Sequence, residues 1–353
     1  MPFDLSTPHA TPPQTRTQRA IGIWLFALCF MILVMVSLGG ATRLTGSGLS
    51  IMEWDPILGI LPPWSDAEWQ RLFALYQQIP QYTLLHDGFG LDGFKQIFWL
   101  EWTHRFWGRL MGFVLIGPLL WFGLRGQMPR YLWRRLALLF VLGGLQGGVG
   151  WFMVASGFEA DSTAVSPYRL VMHLSLALSL YAALLWTALG VWRHGQPVIF
   201  ATHALRRLSL GLTCAVATTI VAGGFVAGLK AGLTYNTFPL MDGHLVPEGW
   251  ASLSPWWRNL FETVQAVQFD HRLLATLTAL LALGTAIYGL SLRPEPRLRW
   301  ALGSVALAVC VQYALGVATL LYVVPVGLAT LHQASAMLLL TACLVLRHMV
   351  RRP

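Results

Sequence analysis

Eight apolar stretches, each about as long as a bilayer is thick, constrain this chain more than any other feature. A membrane-crossing helix takes about 20 mostly apolar residues. Residues 19–41, 104–124, 136–155, 168–192, 208–229, 268–291, 300–323 and 326–347 all qualify. Charged residues are only 11% of the chain, against about 25% in a soluble domain. A soluble enzyme, a disordered chain and a disulfide scaffold are excluded, and an all-α membrane protein is expected. The first stretch is too long for a signal peptide and has no small-residue cleavage site, so it reads as an anchor.

The net charge of +9 is explained by where the arginines lie. The N-terminal tail, the loops near 125–135, 193–207 and 292–299, and the C-terminal tail hold 15 of the 24 Lys+Arg, with only Asp4 and Glu295 as acids. The positive-inside rule places these segments and both termini in the cytoplasm. A nucleic-acid surface would cluster its bases among aromatics, so no nucleic-acid partner is expected. Membrane lipid is.

The chain also repeats itself. Gly39-Gly40 and then Gly48-Leu49-Ser50 match Gly223-Gly224 and then Gly232-Leu233-Thr234, 184 residues on. His104-Arg105 matches His271-Arg272, Gln146 and Gly150 match Gln312 and Gly316, and His173 matches His332. A period of four spans predicts two tandem four-helix bundles of the same orientation, related by a pseudo-twofold axis along the membrane normal. The divisions are a tail at 1–18, halves at 19–192 and 208–347, a linker at 193–207 and a tail at 348–353.

Six histidines, His9, His86, His194, His203, His244 and His348, fall in tails or loops and read as solvated. The other four, His104, His173, His271 and His332, sit one on each even-numbered span. Each is expected within two turns of its outer end, about 10 Å at 1.5 Å per residue. Intramembrane ionisable groups are costly and mark function. Two facing imidazoles in each half can hold a flat macrocycle by bis-His haem ligation. Zinc fits less well, because it takes four clustered ligands. Cys29, Cys214, Cys310 and Cys343 lie inside apolar spans and behave as small hydrophobes.

Glu101 lies three residues before His104, on about the same helix face, where the second copy has Gln268. That divergence suits one working site and one auxiliary site. The plainer reading is an ion pair with Arg105. Arg105 and Arg272 each follow a ligand histidine, where they suit haem propionates or snorkel to headgroups. Trp54, Trp102, Trp107 and Trp151 read as the interfacial aromatic belt. The outer loop 44–100 reads as a lid or as a plain interfacial loop, with an amphipathic helix near 65–79.

These residues resemble the haem A synthase family. The resemblance covers about residues 20–347. It rests on Thr42-Arg43-Leu44-Thr45 through Glu53-Trp54, Glu101-Trp-Thr-His104-Arg105, Gly144-Leu-Gln146-Gly with Gly150-Trp151, Tyr168-Arg169-Leu with His173, Tyr235-Asn236-Thr-Phe-Pro239, Gln268-Phe-Asp-His271-Arg272 and Leu331-His332-Gln333. It implies conversion of haem O to haem A for cytochrome oxidase, by two oxidations of one ring methyl to a gem-diol that loses water to give the formyl group. By that resemblance, haem b is the cofactor on His271 and His332. Haem O is the substrate on His104 and His173, with Glu101 beside it. Implied partners are an electron acceptor or donor, haem O synthase and oxidase assembly factors, in a bacterial inner membrane; a homo-oligomer is compatible. Some members carry cysteine pairs in the outer loops. This chain has none there, so a route for electrons through such cysteines is not supported. Two other functions stay open. A dihaem bis-His electron carrier is disfavoured by four histidines at one depth. A haem transporter or chaperone is disfavoured by the lack of intramembrane charge near the cytoplasmic side.

Overall fold

A computed structural model of the protein describes residues 15–55, 58–160, 162–194 and 199–351. Asp4, His9 and Arg352 lie outside them. The helices are α1 (Arg16–Leu44), α2 (Asp66–Tyr76), α3 (Pro80–Leu85), α4 (Leu91–Leu124), α5 (Arg130–Ala155), α6 (Pro167–Trp192), α7 (His203–Gly228), α8 (Asn259–Glu262), α9 (Val264–Ser291), α10 (Pro296–Leu321) and α11 (Val326–Val350). No strand occurs among the described residues. Eight of the helices, α1, α4 to α7 and α9 to α11, are long and apolar enough to cross a membrane. The chain is a multi-pass membrane protein.

The helices overrun the apolar stretches that predict them. Hydrophobic length sets the bilayer crossing, whereas backbone hydrogen bonding carries a helix on into the headgroup region. Thus α5 and α7 begin at Arg130 and His203, inside arginine-rich segments expected to be loops. The largest departure is α4, which starts at Leu91, 13 residues before His104. At 1.5 Å per residue His104 is about 20 Å from the start of its helix, not within two turns of it. His173, His271 and His332 are six or seven residues into α6, α9 and α11, as expected. The extra turns of α4 are held by aromatic packing outside the apolar stretch. Phe94 and Phe98 are buried with Trp69, Leu72 and Tyr76 of α2. Those three residues form one stripe at i, i+3 and i+7 of an amphipathic helix, capped by Ser65 Oγ accepting from the Glu68 amide.

His348 also departs from expectation. It lies in the last turn of α11 and is buried, not solvated in a tail. His86 is half-buried, with Nδ1 2.6 Å from the Tyr76 hydroxyl, and burial lowers its pKa.

Helix neighbours correspond between the first four spans and the last four. α1 packs on α4 and α6, and α7 packs on α9 and α11. α5 packs on α6, and α10 packs on α11. The two sets meet through α1 with α11, α6 with α7 and α6 with α11. Polar bonds cross that junction. Gln333 Nε2 donates to the Val36 carbonyl at 2.7 Å, Arg43 Nη1 to the Ala227 carbonyl at 2.9 Å, and the Tyr181 and Thr341 hydroxyls are 2.6 Å apart. One contrast breaks the correspondence. α9 and α10 run in contact, whereas α4 and α5 meet over much less of their length. Tyr313 of α10 bonds Thr276 of α9, hydroxyl to hydroxyl, at 2.9 Å. The position matching Tyr313 on α5 is Gly147, and a Cβ on Gly143, Gly144, Gly147 or Gly148 would meet nothing within 4 Å.

Candidate functional site

The four spanning histidines are each seated against a glycine of the preceding spanning helix. A Cβ on Gly39 of α1 would lie 3.1 Å from His104 Nε2. On Gly150 of α5 it would lie 3.0 Å from His173 Cε1, on Gly223 of α7 3.0 Å from His271 Cε1, and on Gly316 of α10 2.9 Å from His332 Cε1. Every seat is therefore too tight for any residue but glycine unless the ring moves. Gly39, Gly150, Gly223 and Gly316 stand out in the sequence as repeat anchors, but which ring each one touches depends on helix packing.

Two glutamines steady the second imidazole of each half. Gln146, one turn before Gly150, places Nε2 3.2 Å from both ring nitrogens of His173 and 3.1 Å from its carbonyl oxygen. Gln312, one turn before Gly316, places Nε2 3.2 Å from His332 Nδ1. The Oε1 atoms of both glutamines are buried without a partner.

His104 lies within electrostatic reach of His173, and His271 within reach of His332. No cluster of three or more His, Cys, Asp or Glu able to hold a metal ion occurs among the described residues. The donor set is therefore two imidazoles in each half, which suits axial ligation of a haem iron. The glycine cradles behind the rings fit that group.

Beside each first histidine, the chain builds a clamp on the loop that follows the first helix of its half. In the first half Glu101 is 3% exposed. Its Oε2 accepts from Ser50 Oγ at 2.7 Å and the Ile51 amide at 2.9 Å. Its Oε1 accepts from Arg105 Nε at 3.0 Å and Nη2 at 2.6 Å. Arg105 also donates to the Ile51 carbonyl at 2.6 Å and the Glu53 carbonyl at 3.0 Å. In the second half Gln268 Nε2 donates to the Ala231 and Thr234 carbonyls at 2.8 and 2.6 Å. Arg272 donates to the Tyr235 carbonyl at 2.5 Å, the Thr237 carbonyl at 2.9 Å and Gln268 Oε1 at 3.2 Å. Each loop enters its clamp through a left-handed residue, Gly46 at φ +69° and Lys230 at φ +53°, followed by a 3₁₀ turn. Glycine adopts that conformation without penalty. Asn236 ties the second loop onward, donating to the Leu320 carbonyl at the end of α10 at 2.8 Å.

The structure thus brings Glu101, Arg105 and the first loop together, and likewise Gln268, Arg272 and the second. A guanidinium has five N–H donors. Arg105 divides four of its own equally between two loop carbonyls and Glu101, whereas Arg272 gives most of its bonds to loop carbonyls. Arg272 Nε remains without a partner. A cavity of about 430 Å³ opens between the first loop and α4, lined by Glu53, Trp102, Arg105 and Arg109 among others. Sequence reasoning finds Glu101 and both arginines but misses their loop partners, which only the chain trace brings near.

Comparison with known proteins places this arrangement. The chain is 61% identical over 346 residues, 97% of its length and 90% of the relative's, to a protein of Granulibacter bethesdensis named Heme A synthase. Proteins of the same name from Nitrosospira multiformis and Paramagnetospirillum magneticum are 45% identical over 351 residues and 48% over 335. These cover 98% and 94% of this chain, and 97% and 93% of the relatives. The family model COX15-CtaA, cytochrome oxidase assembly protein, matches residues 22–344. With both halves of the histidine framework inside that match, the chain belongs to the COX15-CtaA family of cytochrome oxidase assembly proteins.

Proposed function

We propose that this chain is a haem A synthase, oxidising one ring methyl of haem O in two successive steps to the formyl group of haem A. The observation that carries the reading is the set of four imidazoles on four glycine seats, two in each half. In this reading the two halves are duplicated four-helix units about a pseudo-twofold axis. His271 and His332 hold a resident haem b, which supplies one-electron transfer when bound. His104 and His173 hold the haem O substrate. The looser contact of α4 with α5 supports that division, because a substrate must come and go while a resident group need not.

The chain's own residues bind and orient. Gln146 and Gln312 fix the rings of His173 and His332. Arg105 and Arg272 fix the loops, and each keeps an N–H that suits a haem propionate. Glu101 has two roles here. It holds Ser50 and Ile51 of the first loop. One turn from His104, its carboxylate also stabilises positive charge as the methyl is oxidised. The arginine bias supports cytoplasmic termini, with loops 44–100 and 231–266 on the opposite side, and the bacterial relatives support a bacterial inner membrane.

The test is pigment extraction. The chain is expressed in a host that makes haem O and lacks haem A, and extracted haems are identified by mass. Haem A in the extract, with haem b in the purified protein, is expected. A folded, haem b-loaded protein that makes no haem A would instead favour the electron-carrier reading.

A further inference from the structure

At the arginine-rich end of the molecule, where α6 and α11 finish side by side, a buried imidazole has nothing to bond. His348 is 4% exposed, and neither ring nitrogen has a hydrogen-bond partner. The ring meets Trp186 of α6 edge-on, with centroids 4.9 Å apart and planes at 77°. Arg351 lies over the same indole, 5.1 Å from its centroid. Arg193, the residue that ends α6, has its Nη1 buried and also unbonded.

These groups are packed closely enough to repel one another. Burial first, then Arg297 and Arg351, hold the Arg193 guanidinium below its ordinary pKa, with Glu295 the one acid opposing them among the described residues. Burial, then Arg135 and Arg347, do the same to Arg351. Arg193 and Arg351 also face His348. A guanidinium only donates, and an imidazole brings at least one N–H. The unmet need is therefore an acceptor. One carboxylate against this many cations makes that acceptor an anion.

Packing alone does not call for a histidine here. By the spacing that relates His173 to His332, the position matching His348 in the first half is Leu189, buried at 7% exposure. The position matching Trp186 is Val345. At these two positions each half has one plain aliphatic side chain and one ring, Leu189 and Trp186 on α6 and Val345 and His348 on α11, so the fold accepts an aliphatic side chain where His348 puts an unpaired imidazole.

We propose that the junction of α6 and α11 is a binding site for a phosphate group, held by His348, Arg193 and Arg351. A phosphate offers several acceptor oxygens, and arginine engages it through two parallel N–H bonds. The site joins the last helix of one half to the last helix of the other, at the end expected to meet anionic headgroups. Its phosphate comes from a phospholipid headgroup or from free phosphate.

The test uses the full-length, haem-loaded protein, stripped of lipid in detergent. Thermal unfolding is followed on adding phosphatidylglycerol, phosphatidylcholine or inorganic phosphate. Stabilisation by phosphatidylglycerol but not phosphatidylcholine is expected. If inorganic phosphate stabilises equally, free phosphate is the ligand; if it does not, the lipid is. The double variant Arg193→Gln/Arg351→Gln should bind about tenfold more weakly or worse. His348→Leu, which copies the aliphatic residue at 189 and is expected to fold with normal haem content, should weaken binding in the same direction. Equal stabilisation by both lipids with none from inorganic phosphate, no stabilisation by any addition, or full wild-type affinity in His348→Leu would overturn the proposal.

Discussion

Arg105 and Arg272 make matching bonds in the two halves. One reaches the carbonyls of Ile51 and Glu53, the other those of Tyr235 and Thr237, and each pair of positions is 184 apart. The residue one turn before each arginine makes the difference. Every partner of Glu101 donates to it, whereas Gln268 donates outward to two carbonyls. The same scaffold therefore carries opposite polarity beside its first histidine. The comparison teaches that two corresponding clamps can keep the same arginine bonds while one position reverses the field beside the histidine. The half with the carboxylate is also the half whose α4 and α5 stand apart.

The sharpest way to break this comparison is to remove the rings. His271→Ala or His332→Ala should strip tightly held haem b, measured as haem per protein. His104→Ala or His173→Ala should keep that haem and abolish conversion. Equal loss of haem b in all four would show that the halves do not divide the work.

Exchanging the polarity comes next. Glu101→Gln is not a neutral swap in this setting. An amide nitrogen facing Ser50 and Ile51 leaves the Ile51 N–H without an acceptor, and an unpaired buried donor costs about 1–3 kcal/mol. With the loss of a positioned charge, haem A formation should fall by about 10²–10⁴-fold, with haem b normal and haem O or a hydroxylated intermediate accumulating. Gln268→Glu should instead loosen the second loop, since a carboxylate would face two carbonyls. Wild-type haem A formation by Glu101→Gln would reduce the residue to a loop anchor.

The glycine seats give a smaller and graded effect. Overpacking a tight site costs about 1–3 kcal/mol, or about 5–150-fold in affinity. Gly223→Ala and Gly316→Ala should weaken haem b binding by that range and shift its absorption spectrum. Gly39→Ala and Gly150→Ala should impair conversion alone. Gly147→Ala, with open space around it, is the control and should change little.

The smallest effect lies on the loop between α1 and α4. Glu53 pairs with Arg71 at 2.8 Å, and both are nearly half exposed. That hydrogen bond, first among its causes, lowers the Glu53 pKa. Its stabilisation is complete above the ordinary glutamate value and is lost as pH falls through the lowered one. An exposed pair contributes under about 1 kcal/mol. Arg71→Gln should lower the melting temperature slightly at pH 7 and converge with wild type as the pH drops. A deficit that persists at low pH would assign Arg71 a role beyond the pair.

The apolar runs make the eight spans legible, and the ordered His, Gln and Gly anchors make the correspondence between the first four spans and the last four legible from the sequence alone. What stays hidden depends on where helices run once they leave hydrocarbon. Leu91 to Leu100 reads as loop because Asp92 and Lys95 interrupt its apolar residues, yet α2 covers Phe94 and Phe98 and keeps it helical. His348 reads as tail because arginines follow it, yet α11 continues to Val350 and buries it against Trp186. The clamps are half visible. Glu101, Arg105, Gln268 and Arg272 carry side chains that invite partners, but backbone carbonyls look alike in any sequence.

Each clamp arginine directly follows a site histidine, 104 before 105 and 271 before 272. A loop riveted to residue 105 cannot rise without pulling on the backbone that aims the ring at residue 104. In each half one residue therefore ties the loop to the helix turn that carries the imidazole, so the arginine is the shortest link between the position of the loop and the backbone beneath the ring.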